Sequence, residues 1–572
     1  MANYYIDPTS GNDANDGGGF FKLAFAAGSG AQPAAGEVVT GEGGATAKII
    51  KVTGTWGTSG TLYLYNRNAT AFANGEALTF SGGGACLNAQ GDAINSAFKT
   101  LKKTFAAADV INVLKNVEAV QAGTVTAGAF PALTLSTTND LTGVLAQYDI
   151  IRLTSGGVLD PTIYMVKAIT STVITLYRCY RGTAEAGKSI YKLTPATCSS
   201  GDWAATSGDG TAASHITLQG GINPSDLTQD GFTVLEGAAG SLGYSNAKKF
   251  YDVSRMGFRN FGYCWGGSGS APMTDGTLSN CYAFRAATYG WNQSVRTTVN
   301  TFVFEKAKCN TGANNDGVFN DWEVADDAAI GMILGYGICN NNIWNRLRIT
   351  GYASYASFSV STSLCTRNRF NDCVFDENNA GCTIFSMASA TPWMNNIFYN
   401  LMVGSGTLLT VTNTPWGWLS LQNLNGVAND NRQYYFLGES SKYVAILSRE
   451  TTVFNTASPA GKVALNQSLY PFPVNFEIPC DAGVQKTISV YLRKNSSYGS
   501  ATLPFMRLRW VTGTAGAYVM NQYDVAMADT NDTYLQVSHA VTPAIQGTIK
   551  VTLFFQSANA SAIGYFDDLL AA

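Results

Sequence analysis

The side chains best placed to do chemistry in this sequence are carboxylates. Glu305, Asp316, Asp321, Glu323, Asp326, Asp327, Asp372, Asp376 and Glu377 fall in one middle segment. Paired carboxylates cleave glycosidic bonds with retention when about 5–5.5 Å apart, and with inversion when about 6.5–9.5 Å apart. Other chemistries have less support. The two histidines, His215 and His539, are far apart in sequence, and the eleven cysteines include no C-x-x-C pair. That argues against a zinc site or a histidine-dependent triad, and the cysteines read as buried free thiols. Gly182–Ser189 spells GTAEAGKS, the letters of a phosphate-binding loop. Such a loop needs a helix after it. A β-like IYKLTPAT follows instead, so the stretch reads as a hairpin turn.

Catalytic carboxylates need a scaffold that sets their spacing, and the middle of the chain repeats. An asparagine followed by aromatics recurs as NFGY at Asn260, NCYAF at Asn280, NTFVF at Asn300, NDWEV at Asn320, NIWNRL at Asn342, NRFNDC at Asn368 and NIFYNL at Asn396. The intervals are 20, 20, 20, 22, 26 and 28 residues. A period of that size predicts a solenoid. Without i, i+3, i+4 apolar stripes, the solenoid is a parallel β-helix. Asparagine tolerates the left-handed backbone of a tight corner, so the seven asparagines are expected to stack as one ladder, about 4.8 Å per rung. Aromatics two residues later would face inward, Trp322 and Trp344 among them, with Cys281, Cys309, Cys339 and Cys373. Counted from the asparagine of its rung, Glu305 is at +5, Asp326 at +6 and Asp372 at +4. These three are the catalytic candidates, expected near one line on the outer face. The alternative is ordinary solvated surface, with Glu305 paired to Arg285.

The start of the chain says what kind of coil this is. YYIDPTSGNDANDG (4–17), AFKTLKKTFAAADVINV (97–113) and SHITLQGG (214–221) read in order as a short strand, a turn-rich loop, a helix over FKTLKK, a strand and a first full rung. Together they resemble the entry cap of right-handed parallel β-helices of the pectate-lyase-like and tailed-bacteriophage tailspike kind. The resemblance implies a cap formed by 1–17 and 97–122 over otherwise open strand edges, and a homotrimeric rod. Many such tailspikes hydrolyse or eliminate glycans with carboxylates on the rod's outer face. Residues 18–96 and 123–196 interrupt the cap with alternating strands and glycine turns, and read as two inserted small β modules similar to those that recur in tailed-phage virion proteins.

The coil is expected over 197–413, followed by a transition at 414–433. Residues 434–572 alternate as strands with Gly, Asn and Asp turns. They predict a C-terminal β-sandwich, which resembles the carbohydrate-binding-module-like jelly rolls at the ends of phage spikes. Trp416 and Trp418, in the transition, are the tryptophans placed to stack on sugar rings. Asp567 and Asp568 carry the oxygen ligands that Ca2+ takes, with capping of the last strand as the other reading; no further cofactor is expected. A lyase would want a cation beside such carboxylates, for which Arg346, Arg348, Lys306 and Lys308 are available.

Composition agrees with an all-β chain: 13% charged residues, 60 glycines and 12% aromatics. A net charge of −3 with no basic cluster argues against nucleic acid as a partner. No 18-residue apolar stretch suggests insertion in a membrane, and no charged start followed by an apolar run suggests a signal peptide. The expectation is therefore a structural or adhesive phage virion surface protein, made in the host cytoplasm. It would serve as tail spike, fibre or capsid decoration and present glycan- or receptor-binding surfaces. Its partners would be itself, other virion proteins and a host surface glycan or receptor. The alternative is a tailspike depolymerase, a hydrolase or lyase of host polysaccharide. A secreted pectinase-like bacterial protein is disfavoured by the missing signal peptide.

Overall fold

A computed structural model describes residues 2–128, 132–155, 157–204, 208–245, 248–266 and 273–292, individual strands and corners between 294 and 465, and 472–572 apart from 500–501, 515–516, 518, 558 and 560. Among the described residues the regular structure is all strand, save one 3-10 turn at Ser496–Tyr498. The chain divides into two units, Met1–Gln293 with Thr297–Glu305, and Ser294–Arg296 with Lys306–Ala572.

The first unit is organised by parallel ladders. Asn3–Ile6 pairs with Val110–Leu114, which pairs with Ile216–Ile222, then Tyr251–Ser254, Thr277–Phe284 and Thr298–Glu305. A second ladder runs through Thr233–Glu236, Met256–Arg259 and the latter half of Thr277–Phe284. A third joins Leu242–Tyr244, Tyr263–Trp265 and Tyr289–Trp291. Single residues with left-handed backbone turn the chain from one ladder to the next. Phe250 and Asp275 are such corners, Arg255 and Asn280 follow five residues later, and Asn260 and Arg285 five later again. Parallel strands stacked in this way are buried on their inner side, and Val253, Leu278, Val299, Phe258, Cys281 and Phe302 are all enclosed.

The second unit repeats the same spacing. Asp316, Asn341 and Arg367 are left-handed corners, and so are Asp321, Arg346 and Asp372, each five residues further on. The intervening strands pair in parallel, as in Phe319 with Trp344 and Trp344 with Phe370. Their rings stack face to face at 5.0 and 4.6 Å, with interplanar angles of 17° and 5°. All three side chains are fully buried. On the outer side Arg346 grips Asp321 through two hydrogen bonds, and Asn341 Nδ2 donates to Asp316 Oδ1 at 3.0 Å.

The single asparagine ladder expected from the sequence is not formed. Asn260 and Asn280 are corner residues, at different corners. Asn300 pairs with Ser279, so it stands one residue before a corner. Asn320 likewise precedes the Asp321 corner, while Asn342 and Asn368 follow corners and are buried. The backbone of Asn396 pairs with Leu419; its side chain lies outside the described residues. Two short amide ladders form instead. Asn345 donates to Asn320 and Asn371 to Asn345, each at 2.7 Å, and Asn342 donates to Asn368 at 3.0 Å. Asparagine suits a left-handed corner, an amide ladder and a buried turn alike. Its recurrence therefore marks rungs without fixing their register.

The helix expected over FKTLKK is also absent; residues 97–105 run as turns and isolated bridges. Asp13 takes the amides a first helical turn would leave open, accepting from Lys99 N, Thr100 N and Thr100 Oγ1. Phe98 N meanwhile donates to Tyr5 O.

Two rings of antiparallel strands lie between the first ladder strands. In one, Phe21–Ser29, Ser59–Tyr65, Thr46–Thr55, Val38–Gly41, Ala77–Phe80 and Ala85–Asn88 pair in that order and close on Phe21–Ser29. In the other, Thr134–Thr137, Val173–Leu176, Tyr164–Ile169, Ile150–Ser155, Glu185–Thr194 and Val117–Ala127 pair and close on Thr134–Thr137. The order around the ring is the same. The strand that closes the ring comes last in the chain in the first barrel and first in the second, so the two are circular permutations of one topology. Closure leaves neither barrel with a free edge.

In the second unit the last parallel strands lead into antiparallel pairing, Trp416–Gln422 with Arg432–Leu437 and Thr407–Val411 with Ile446–Glu450. One sheet then runs Arg432–Leu437, Phe472–Cys480, Gly547–Phe555, Phe505–Thr512, Val519–Ala526. The other runs Ile446–Glu450, Ala460–Ala464, Ile563–Ala571, Lys486–Lys494, Leu535–Val541. Phe476 and Phe555 from the first sheet meet Phe566 of the second, so the two face each other as a sandwich.

The stacked Phe319, Trp344 and Phe370 rings are fully enclosed and have little room to relax. Trp344→Ala is expected to cost about 3–5 kcal/mol, whereas Asp372→Asn at an exposed corner is expected to change stability by no more than about 0.5 kcal/mol. Chemical denaturation of the full chain followed by circular dichroism compares the two.

Candidate functional site

Glu305, the first catalytic candidate, is fully buried. Its Oε1 accepts from Arg178 Nε at 2.8 Å and its Oε2 from Met165 N at 2.7 Å. Arg178 in turn donates through Nη2 to Thr162 Oγ1 and Ile163 O, at 2.6 and 2.7 Å, and lies over the Tyr164 ring. Thr162 Oγ1 meets Tyr282 OH at 3.0 Å. Burial pushes the hydroxyls of Tyr164 and Tyr282 well above the usual phenol range. Around the pair, Ile163 and Met165 of the second barrel pack on Phe232, Val234, Phe284 and Val303 of the ladders. Glu305 is thus a dry, hydrogen-bonded clamp that seats the second barrel. It is not a carboxylate facing solvent, because the barrel inserted far upstream in sequence covers that part of its rung. Arg285, the expected partner, lies over the Tyr148 ring instead.

The other candidates sit elsewhere. Asp372 is an exposed corner residue, whereas the strand position of Glu305 pairs with Phe284 inside a ladder. Asp326 lies outside the described residues, as do the side chains of Trp416 and Trp418. Trp322 and Trp344 are both buried. Lys188 of GTAEAGKS is buried within the strand Glu185–Thr194, where its ammonium donates to Thr154 O and to Glu185. That strand has no helix N-terminus to receive phosphate. Asp567 accepts from Asn455 N and Asp568 from Asn455 Nδ2. Among the described residues no group of three or more His, Cys, Asp or Glu is arranged to hold a metal. Cys264, Cys281 and Cys373 are free thiols pushed up to about 12 by burial.

A set of residues the sequence reading did not single out gathers on the outer face of one sandwich sheet. Along Phe505–Thr512, Met506, Leu508 and Trp510 point into the core. By the two-residue period of a strand, Phe505, Arg507 and Arg509 point out. Lys550, Thr552 and Phe554 of the neighbouring strand do the same, because Ile549, Val551 and Leu553 are buried. Register then sets three rows. Phe505 faces Phe554, and their rings stack at 4.8 Å. Arg507 lies between Thr552 and Asp524. Arg509 lies between Lys550 and Gln522, and Lys550 is flanked on its other side by Glu477.

The polar members of this face are fixed. Arg507 binds Asp524 in a two-pronged pair, Nε to Oδ1 and Nη2 to Oδ2, each at 2.7 Å. Its guanidinium sits 5.0 Å from the Phe554 ring centre and 5.5 Å from that of Phe505. The hydrogen bonds from Arg507 hold the Asp524 carboxyl below the usual carboxylate range. Arg509 Nε donates to Gln522 Oε1 at 2.9 Å. An apolar ridge beside preset donors and acceptors is what recognition of a polyhydroxylated ring requires. The outward phenylalanines in FMRLRWV and GTIKVTLFF, breaking a polar-out alternation, were the signal available in the sequence.

No family model matches the chain, and no curated relative matches it. Among solved structures it is similar to the enzymatically active domain of tailspike protein 4 of bacteriophage CBA120, at 10% identity over 66% of this chain and 63% of that one, with a TM-score of 0.21. It is also similar to a family 16 carbohydrate-binding module, at 12% identity over 22% of this chain and 84% of that one, TM-score 0.18. A third is TmCBM61 in complex with β-1,4-galactotriose, at 12% identity over 25% and 87%, TM-score 0.17. At TM-scores this low the likenesses establish neither a shared fold nor a shared activity.

Removing either half of the buried clamp leaves a charge stranded in an apolar setting. Glu305→Ala or Arg178→Ala is expected to destabilise by about 3–5 kcal/mol, and the double replacement Glu305→Leu with Arg178→Met by much less. Limited proteolysis should show the single variants cut first within 123–196. Equal loss in single and double variants would argue that the pair is not the clamp.

Proposed function

We propose that this chain is a structural and adhesive spike of a tailed-phage virion whose outer sandwich sheet holds glycan. In this reading the ladders of both units are rungs of a right-handed parallel β-helix over 197–413, capped by 1–17 and 97–122. The barrels of 18–96 and 123–196 are insertions in the cap, and 434–572 is the adhesive end. One observation carries the adhesive role: the outward Phe505–Phe554 pair beside the fixed Arg507–Asp524 pair. Adhesion is favoured over cleavage because Glu305 is consumed by Arg178. The homotrimer implied by the resemblance to tailspikes belongs to the same reading.

Binding of the full chain to purified capsule and O-antigen of candidate hosts tests it. Phe505→Ala with Phe554→Ala is expected to weaken binding about ten-fold or more and to leave folding intact. New reducing or unsaturated sugar ends on incubation would overturn the non-enzymatic reading. Sedimentation at the mass of one chain, 60.7 kDa, would overturn the trimer.

The pH dependence follows from Asp524. Its folded value is depressed, so the pair with Arg507 is complete above the unfolded value of about 4. It is lost as pH falls through the lower folded value. Binding is therefore expected to be flat from about pH 8 to pH 5 and to fall only in more acidic buffer, as a binding titration across that range would show.

A further inference from the structure

We propose, resting on the glycan-binding reading of the same sheet face, that its preferred ligand is an acidic polysaccharide, with a sugar carboxylate held between Arg509 and Lys550. The two cations face each other directly across neighbouring strands, and both side chains are exposed. Like charges at such a pair stand about 4.5–5.5 Å apart at Cβ and repel. Arg507, one row away, is neutralised by its two-pronged contact with Asp524. Among the described residues neither Arg509 nor Lys550 makes an ion pair. Arg509 is held from one side only, by Gln522 on Nε, so its fork is oriented, and it feels Asp524 only as a carboxylate that Arg507 already binds through both oxygens. Glu477, in register with Lys550 on the far side from Arg509, offsets one charge of the row and leaves the other.

The arrangement fits a carboxylate better than a neutral sugar. A planar guanidinium fixed at Nε offers two parallel donors to a carboxylate, and a lysine ammonium beside it adds a third contact. The Phe505–Phe554 ridge lies four residues, about 13 Å, along the same strands, where it would meet a ring further along the polymer. The molecule carries a net charge of −3, so general attraction for polyanions is not the source of the preference. The selectivity would reside in this one row.

The test is a panel of bacterial surface polysaccharides in which every uronate-containing polymer is paired with its carboxyl-reduced counterpart, probed with the full chain. Acidic polymers are expected to bind about ten-fold or more tightly than their reduced partners. Lys550→Gln, and Arg509→Gln with Lys550→Gln, should erase that difference while thermal unfolding is unchanged. Binding to acidic polymers should also weaken with added salt. Equal binding of a polymer and its reduced form, or an undiminished preference in the double variant, overturns the acidic-ligand proposal and leaves the glycan reading standing. Failure to bind any polymer overturns the glycan reading itself.

Discussion

Turning a strand through a corner in a single residue requires a left-handed backbone, which costs an ordinary L-residue about 1–2 kcal/mol. In this protein the cost recurs at residues such as Arg255, Thr301, Asp321 and Arg346, none of them glycine. It is tolerated because these corners lead into parallel ladder strands whose inner side chains are enclosed, as Val253, Phe258, Phe319 and Trp344 are. Spacing the corners five apart also fixes which side chains point in. A slip of one residue would put Arg346 or Asp321 in the core and Trp344 outside. The outer ion pairs reinforce the register. Arg346 bonds Asp321 and feels the charge of Asp372 as well, and a shifted rung would lose both. Exposed pairs of this kind add little stability; their value is in opposing misalignment.

The same logic of enclosure explains the buried clamp. A carboxylate and a guanidinium taken out of water are expensive to bury, and the pair is retained only when hydrogen bonds satisfy the remaining atoms. Met165 N, Thr162 and Ile163 supply those bonds around Glu305 and Arg178. Because both partners must arrive together, the clamp admits one seating of the second barrel on the ladders, whereas the surrounding aliphatic contacts alone would tolerate several. The first barrel, built on the same ring topology, meets the neighbouring segments through Tyr5, Phe20, Tyr65, Ala97 and Ile222 and through a partly exposed pair, Lys22 with Asp16, which Tyr63 also joins. Similar modules are thus attached by apolar contacts with one ion pair each, dry in the second barrel and open to solvent in the first.

Much of the architecture was legible because it rests on local rules. Alternation and glycine turns marked the strands of both barrels and of the sandwich, and the recurring asparagine-aromatic pieces marked strands that pair in parallel. Register was not legible. Asn260, Asn320 and Asn342 look alike in sequence, yet one forms a corner, one precedes a corner and one is buried after a corner. The role of Glu305 was hidden for a different reason. Its partner Arg178 lies in an inserted module, and no spacing rule links residues so far apart. FKTLKK has helical propensity, but a carboxylate from the opening loop satisfies its amides first. The outer sandwich face was legible in principle, through phenylalanines at positions where the alternation calls for polar residues.

The parallel ladders and the sandwich place their outward charges differently. On the parallel ladders the corner Arg346 is paired with the corner Asp321, Asn341 donates to Asp316, and Arg255 and Arg285 are taken up by Gln229 O and the Tyr148 ring. On the sandwich sheet three cations share two carboxylates: Asp524 binds Arg507 and also attracts Arg509, while Lys550 stands in register between Arg509 and Glu477. Exchanging either cation for a neutral residue would ease that juxtaposition without touching the core-facing residues of the two strands. Two rows along, the half-buried Phe505 and Phe554 stack on each other under the Arg507 guanidinium, so the apolar and the cationic parts of this face share one pair of strands.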